Sequence, residues 1–156
     1  TVPTGEPYLA IEDVSEAQYQ HIVGVNLSGV FHGLKAVLPR LRTKGGAITI
    51  TASIAGLSVV PVDPMYTATK YALVGLGRAV AAANAGTNIR INVICPGVVD
   101  TQIVPDNFRK PEFGMMPTSM MAAEIVDLLQ HGANGEIRVK NSSEKNAFSV
   151  EPPTLT

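Results

Sequence analysis

Apolar residues recur every three or four positions between residues 22 and 41, a spacing that places them on one side of a long helix. Ser15 is a suitable N-cap for this helix, and the pair Gly45-Gly46 is a suitable end. Three glycines inside the helix lower its intrinsic stability, so we expect close packing against another element to compensate. The apolar residues are Ile22, Val23, Leu27, Val30, Phe31, Leu34, Val37, Leu38 and Leu41, and the glycines are Gly24, Gly29 and Gly33.

Strands and helices alternate along the rest of the chain. Short apolar, β-branched runs predict three strands, and 3.6-residue periodicity predicts two more helices. The predicted strands are AITITA (47–52), NIRINVICPG (88–97) and GEIRVK (135–140). The predicted helices run from about Met65 to Ala83, and from Thr118 as N-cap to a stop at Gly132. This order favours a single α/β domain over 1–156 with a parallel sheet, followed by a polar, proline-containing tail over 141–156.

Three reactive side chains fall where such a fold brings them together. Ser53 follows the first predicted strand, and the carboxyl ends of parallel strands form the crevice in which α/β proteins bind ligands. Tyr66 and Lys70 are one helical turn apart in the sequence YTATK, so both side chains project from the same face. We therefore expect Ser53, Tyr66 and Lys70 to converge on one substrate atom.

A tyrosine that exchanges protons near neutral pH needs its ionised form to be favoured. The phenol titrates near pH 10, so the shift required is roughly 3 units, or about 4 kcal/mol. The ammonium of Lys70 is the expected source of this shift, through Coulomb attraction in a partly dry site. Ser53 would hold the substrate oxygen by a hydrogen bond and stabilise the charge that develops on it.

Each of these signals has an ordinary explanation when it is taken alone. A lysine four positions after a tyrosine is common by chance, and serine is common in loops. Asn26 could be a tolerated polar residue in a helix, and Pro96-Gly97 a plain turn. What distinguishes this chain is the joint order and spacing of the four features.

In that order and spacing the chain resembles the short-chain dehydrogenase/reductase family. The family's Asn-Leu-x-Gly segment is matched at Asn26, 27 residues before Ser53, which opens the Ser-x-Ala-Gly-like loop SIAG. Its Tyr-x-x-x-Lys motif follows 13 residues later at Tyr66 and Lys70, and CPGVVDT is similar to its Pro-Gly-x-x-x-Thr element. The resemblance extends from about Val14 to Val139.

The resemblance implies a Rossmann-like, doubly wound parallel sheet and an NAD- or NADP-dependent oxidoreductase acting on a carbonyl or alcohol. It implies that Tyr66 is the general acid/base and that Lys70 lowers its pKa and binds the nicotinamide ribose. Ser53 would orient the substrate, and Asn26 would interrupt its helix and hold a water in a proton relay. The implied binding site for the nicotinamide is completed by Pro96, Gly97, Val99 and Thr101.

The family's glycine-rich phosphate loop and the residue that selects NAD or NADP have no match in the sequence. We therefore expect this chain to be the carboxyl-terminal part of the fold, with about three βα units of roughly 30 residues each upstream. The alternative is a catalytically silent fragment or assembly module that cannot bind the dinucleotide. A serine hydrolase that uses Ser53 with Lys70 is disfavoured because no Gly-x-Ser-x-Gly sequence is present.

The composition of the chain limits the classes of partner that it is expected to bind. The chain has 46% hydrophobic and 16% charged residues and a formal net charge of -1, without a basic run, so we expect neither nucleic acid nor membrane as a partner. Cys95 has no cysteine partner, the histidines lack metal-ligand spacing and no signal-like segment is present, which together favour a cytoplasmic protein without a metal.

By resemblance the two long helices would form a homodimer or homotetramer. Phe108, Phe113, Met115 and Met116 are available as an apolar lid over the substrate.

Overall fold

The computed structural model of the chain describes residues 10–104, 109 and 114–151. Its helices are α1 (Glu16–Val23), α2 (Gly29–Lys44), α3 (Pro64–Ala83) and α4 (Thr118–His131), with a π-helical turn (Gly24–Ser28) between α1 and α2. Single 3₁₀ turns lie at Ile11–Asp13 and Ile54–Gly56. The strands are β1 (Gly46–Thr51), β2 (Ile89–Pro96), β3 (Ile137–Lys140) and β4 (Phe148–Ser149).

The four strands form one sheet in the order β1-β2-β3-β4. The first three are parallel, and β4 is antiparallel to β3. The α/β fold with a parallel sheet predicted from the sequence is therefore confirmed. Because the paired strands end together, the residues that follow β1 and β2 meet at one edge of the sheet, the carboxyl edge.

Apolar side chains are buried on both faces of the sheet, as expected for parallel strands. On one face Ile50 and Val93 pack with α3, whose Gly77 lies so close to the sheet that a Cβ there would overlap Val93 Cγ2. On the other face Ile94 packs with Met121 and Leu128 of α4. Both α3 and α4 are thereby fixed against the sheet.

The helical run from Glu16 to Lys44 begins as the sequence predicts. Ser15 and Gln18 form a reciprocal capping box, and the run ends at Gly45, whose φ of 73° suits glycine. Leu34 is buried against the sheet, and Leu27 and Val30 pack beside it. The expected close packing of the glycines against another element is wrong among the described residues, because a Cβ at Gly24 or Gly33 would meet nothing within 4 Å and one at Gly29 would meet only the Gly24 carbonyl of the same run.

The same run, Glu16–Lys44, is long and apolar enough to cross a membrane when only length and composition are considered. Core helices of soluble proteins have the same length and composition. In this structure Leu34 packs on the core, and 11% of the most apolar window of the run is buried.

Two local predictions differ from the structure. Thr118 is the first residue of α4 rather than its cap, because Pro117 occupies the N-cap position and makes no side-chain cap hydrogen bond. The segment 141–156, predicted only as a tail, contains β4. Val150, directly after β4, donates its N–H to the carbonyl of Ile137 and packs on the core, which fixes the segment to β3.

Candidate active site

Ser53 lies at the carboxyl edge, two residues after the end of β1, and its side chain is buried. Its Oγ accepts a hydrogen bond from the N–H of Ala55 at 3.1 Å, which fixes the side chain at the start of the 3₁₀ turn. The Ser53 side chain lies near enough to the phenol of Tyr66 to act on its pKa, which it lowers. The predicted proximity of the serine to the Tyr-Lys pair is therefore present.

Tyr66 and Lys70 occupy the first two turns of α3. The helix starts at this point because Asp63 accepts a hydrogen bond from the Tyr66 N–H at 3.0 Å and Pro64 suits the first helical position. Lys70 Nζ lies over the ring of Tyr66, 5.4 Å from its centroid. Both side chains therefore share one face of the helix, as their spacing predicts.

The pKa of Tyr66 is raised above its ordinary value, which is opposite to the shift expected from the sequence. Burial of the phenol is the largest cause, the polar side chain of Ser53 acts in the opposite direction, and the charge of Asp63 raises the pKa further. Burial also lowers the pKa of Lys70, since a partly dry site disfavours its charge. Desolvation thus outweighs the stabilisation of the phenolate, so Tyr66 is a neutral proton donor at neutral pH.

Asn26 lies in the π-helical turn, so its helix is interrupted where the resemblance implies. Its side-chain amide donates a hydrogen bond to Thr69 Oγ1 at 3.1 Å, and the Thr69 hydroxyl donates to the Tyr66 carbonyl at 2.8 Å. The expected water-holding role of Asn26 stays a prediction. Thr69 itself was not singled out from the sequence, although it directly precedes Lys70.

The predicted nicotinamide site lies beyond the end of β2. Pro96 is the last residue of that strand, and Gly97 donates its N–H to the Lys140 carbonyl. A Cβ at Gly97 would come within 2.9 Å of the Asn141 backbone, so only glycine fits there. Val99 pairs with Met116, and Thr101 Oγ1 donates to the Val99 carbonyl at 3.4 Å. These contacts order the segment that would meet the carboxamide.

The predicted apolar lid is only partly covered by the described residues. Met116 is fully buried in the core beside α4, so it is wrong as a lid residue. The backbone of Met116 pairs with that of Val99, which fixes Met116 beside the segment that follows β2. Phe108 and Phe113 lie outside the described residues.

Cys95 lies directly beneath the site and is fully buried, as expected of a small apolar residue. Burial raises the pKa of its thiol to about 11, while a hydrogen bond from the Ser53 backbone and the charge of Lys70 act in the opposite direction. The sequence does not reveal that Ser53 and Lys70 act on the Cys95 thiol, because the three residues belong to separate elements. In the part of the chain that the structure describes, no group of three His, Cys, Asp or Glu residues could hold a metal ion.

The family model for short chain dehydrogenases matches residues 5–112. The chain belongs to the short-chain dehydrogenase family. The matched region contains Asn26, Ser53, Tyr66 and Lys70, the residues on which the resemblance was based.

Among curated relatives, the chain is 38% identical over 96 residues to 2-(R)-hydroxypropyl-CoM dehydrogenase of Xanthobacter autotrophicus, covering 61% of this chain and 38% of that protein. It is 35% identical over 149 residues to 3-alpha-(or 20-beta)-hydroxysteroid dehydrogenase of Mycobacterium tuberculosis, covering 93% of this chain and 55% of the relative. The chain therefore spans between about two fifths and just over half of the length of these short-chain dehydrogenases.

Solved structures give the same result for the fold. Levodione reductase is similar with a TM-score of 0.80 and 30% identity, over 88% of this chain and 62% of that one. A 4-hydroxyisoleucine dehydrogenase complexed with NADH is similar with a TM-score of 0.77 over 91% of this chain and 66% of that one, and at 24% identity this likeness concerns the fold alone.

The short-chain dehydrogenase family uses NAD or NADP, and the site has features that fit the nicotinamide end of such a cofactor. Among the described residues, the half-buried ammonium of Lys70 contacts the Tyr66 ring and makes no ion pair or hydrogen bond, so its three donors are available to ribose hydroxyls. Gly97 leaves the edge of the sheet without a side chain. Lys70, Pro96, Gly97, Val99 and Thr101 are the residues that would hold this end of the dinucleotide.

Proposed function

We propose that this chain carries the proton-transfer site of an NAD- or NADP-dependent oxidoreductase that interconverts a carbonyl and an alcohol. The observation that carries the proposal is the position of Lys70 Nζ over the Tyr66 ring, 5.4 Å from its centroid, with Ser53 close enough to act on the pKa of the phenol. This arrangement places a proton donor, a second hydroxyl and a cation close together.

The chemistry of the residues follows from their charge states. In carbonyl reduction, Ser53 donates a hydrogen bond to the substrate oxygen, and Tyr66 transfers its phenolic proton to that oxygen as the carbonyl carbon gains a hydride. When bound, the nicotinamide supplies or accepts this hydride. The raised pKa of Tyr66 keeps the proton in place until transfer. Lys70 then stabilises the phenolate that remains, and alcohol oxidation uses the same groups in reverse.

The family acts on small-molecule substrates, and several relatives are named for substrates that bear a hydroxyl group. They include the hydroxypropyl-CoM dehydrogenase and hydroxysteroid dehydrogenase above, and a D-beta-hydroxybutyrate dehydrogenase of Rhizobium meliloti. These names support an alcohol with its matching carbonyl as the substrate class here, and they differ too widely to favour one compound.

We also propose a homodimer or homotetramer formed through α2 and α3. Phe31 and Val37 of α2 are 49% and 42% exposed, and the Gly33 site faces open space, so another surface can approach closely there. Light scattering of the intact protein tests this, with Phe31→Asp expected to lower the mass to that of a smaller assembly. An unchanged mass would place the interface elsewhere.

Replacement of Tyr66 by phenylalanine in the intact protein tests the proposed function. Tyr66→Phe removes the transferred proton, so we expect turnover to fall by about 10²–10⁴-fold while NADH or NADPH binding persists. Tyr71→Phe is the matched control, since Tyr71 is an exposed phenol on the same helix and should leave turnover unchanged. Full activity in Tyr66→Phe would refute the assignment.

Calorimetric titration with NADH and NADPH addresses the alternative of a silent fragment or assembly module. Binding by the intact protein supports the oxidoreductase, whereas binding of neither cofactor favours the silent module. The same measurement shows whether NADH or NADPH binds more tightly. The sequence does not predict this preference, because the residue that selects the cofactor has no match in it.

A further inference from the structure

Thr69 is buried in the second turn of α3, where its hydroxyl joins two parts of the molecule that are far apart in sequence. It is 3% exposed and lies between Tyr66 and Lys70. Its Oγ1 donates to the Tyr66 carbonyl at 2.8 Å and accepts from Asn26 Nδ2 at 3.1 Å, across a separation of 43 residues. A threonine inside a helix gains nothing in intrinsic propensity, so these two bonds are its main contribution.

Asn26, which donates the hydrogen bond to Thr69, lies in a π-helical turn rather than in regular α-helix. Asn26 sits in the π-helical turn, where Gly29 donates its N–H to the Gly24 carbonyl five residues back. Single π turns inside α-helices alter the direction of the side chains that they carry. Here the turn directs the amide of Asn26 into α3, next to the residue that precedes Lys70.

We propose that Thr69 is a positioning residue for the reaction, holding the Tyr66–Lys70 turn of α3 in register with the π-helical turn through Asn26. The inference rests on the proposed function. A hydroxyl is required because one atom must donate to a carbonyl and accept from an amide at the same time. Loss of the link would leave the Asn26 amide without its partner and free the first turns of α3 to shift.

The link acts on geometry rather than on chemistry, since Thr69 contacts the carbonyl of Tyr66 and not its phenol. A small displacement of a catalytic turn lowers the rate of the chemical step far more than it weakens binding of the substrate. The expected signature is therefore a lower kcat with a nearly unchanged KM.

The test compares Thr69→Val, which keeps the shape and loses both bonds, with Thr69→Ser, which keeps the hydroxyl. We expect Thr69→Val to lower kcat about tenfold with KM within twofold, and Thr69→Ser to restore most of kcat. Thr87→Val is the matched control. Its hydroxyl likewise donates to a carbonyl three residues back, and it accepts a hydrogen bond from a backbone N–H, but it lies in the turn beyond the carboxyl end of α3.

A double mutant separates the link from a general loss of folding. If Thr69 acts through Asn26, the combination of Asn26→Ala and Thr69→Val should lower kcat no more than Asn26→Ala alone. The pH profile of kcat should shift in Thr69→Val and stay unchanged in Thr87→Val.

Three results would overturn the inference. They are an unchanged kcat in Thr69→Val, losses that simply add in the double mutant, and an equal loss in Thr87→Val. Absence of nicotinamide-dependent turnover in the wild type overturns the proposed function first and this inference with it, so the two failures are distinguishable.

Discussion

The ammonium of Lys70 lies over the aromatic ring of Tyr66, with Nζ 5.4 Å from the ring centroid. At this distance the cation is attracted to the ring face, and it remains close enough to stabilise a negative charge on the phenol. Burial leaves the resting pKa of Tyr66 high, and the groups that shift this pKa are Ser53 and Asp63, so the expected lowering by Lys70 stays a prediction.

Replacement of this cation is expected to raise the pKa of Tyr66 further. Lys70→Met keeps the length of the side chain and removes the charge, so alcohol oxidation, which requires the phenolate, should fall by about tenfold or more at pH 8. The pH profile of oxidation should move to higher pH, and Lys35→Met on the exposed side of α2 should leave it unchanged. An unshifted profile in Lys70→Met would contradict the assigned role.

Two glycines of α3 are expected to respond in opposite ways to the same substitution. A Cβ at Gly77 would overlap Val93 Cγ2 and come within 3.3 Å of Ile50 Cδ1, whereas a Cβ at Gly75 would meet nothing within 4 Å. Gly77→Ala should lower the free energy of unfolding by about 1–3 kcal/mol through overpacking. Gly75→Ala should raise it by about 0.5–1 kcal/mol through helix propensity. Urea denaturation measures both, and equal effects would show that α3 does not lie against β2 as described.

Cys95 should react slowly with thiol reagents while the protein is folded. It is the single cysteine of the chain, it is fully buried, and burial raises the pKa of its thiol to about 11. At pH 8 roughly one thiol in a thousand is then ionised, so alkylation should be on the order of a hundredfold slower than in urea. Equal rates would indicate that the strand end beneath Ser53 opens freely.

The free energy of unfolding is expected to depend on pH through Arg138. This guanidinium on β3 contacts Glu136 at 2.8 Å and Glu124 at 3.3 Å, and it also bonds Asp127 of α4. Burial raises the pKa of Glu136, but the hydrogen bonds from Arg138 and Ser149 outweigh burial and lower it overall. A carboxyl whose pKa is lowered by folding stabilises the folded state at pH values above its ordinary pKa, and this stabilisation is lost as the pH falls through the lowered pKa. The contribution of Arg138 should therefore shrink on acidification.

Arg138→Met tests this dependence. At pH 7 it should lower the free energy of unfolding by about 1–3 kcal/mol, and at about pH 3 by much less. Arg40→Met on the exposed side of α2 is the control and should be nearly neutral at both values. If Arg138→Met lowers the free energy of unfolding equally at both pH values, Arg138 stabilises the fold by packing of its aliphatic side-chain carbons rather than by its charge.

The sequence predicts the main elements and the candidate site because their signals are local. The helix that begins at Ser15, the strand before Ser53 and the shared face of Tyr66 and Lys70 all follow from spacing within a few turns. The four-residue period places the lysine beside the tyrosine without knowledge of any other element.

The features that the sequence does not predict depend on distant partners. β4 has two residues, Phe148 and Ser149, and is defined by pairing with β3 rather than by a periodic pattern. The hydrogen bond from Asn26 to Thr69 needs the packing of the π-helical turn on α3. The direction of the Tyr66 pKa shift depends on how deeply the phenol is buried, which composition and spacing do not reveal.

The antiparallel pairing of β4 with β3 determines where other chains could add to the sheet. β3 is bonded on both sides, to β2 and to β4, so another chain can pair with it only if β4 detaches. Within the described residues, β1 and β4 are the two outer strands of the sheet. Because β4 has only two residues, it offers an added strand few backbone groups to bond, which protects this margin of the sheet from aggregation.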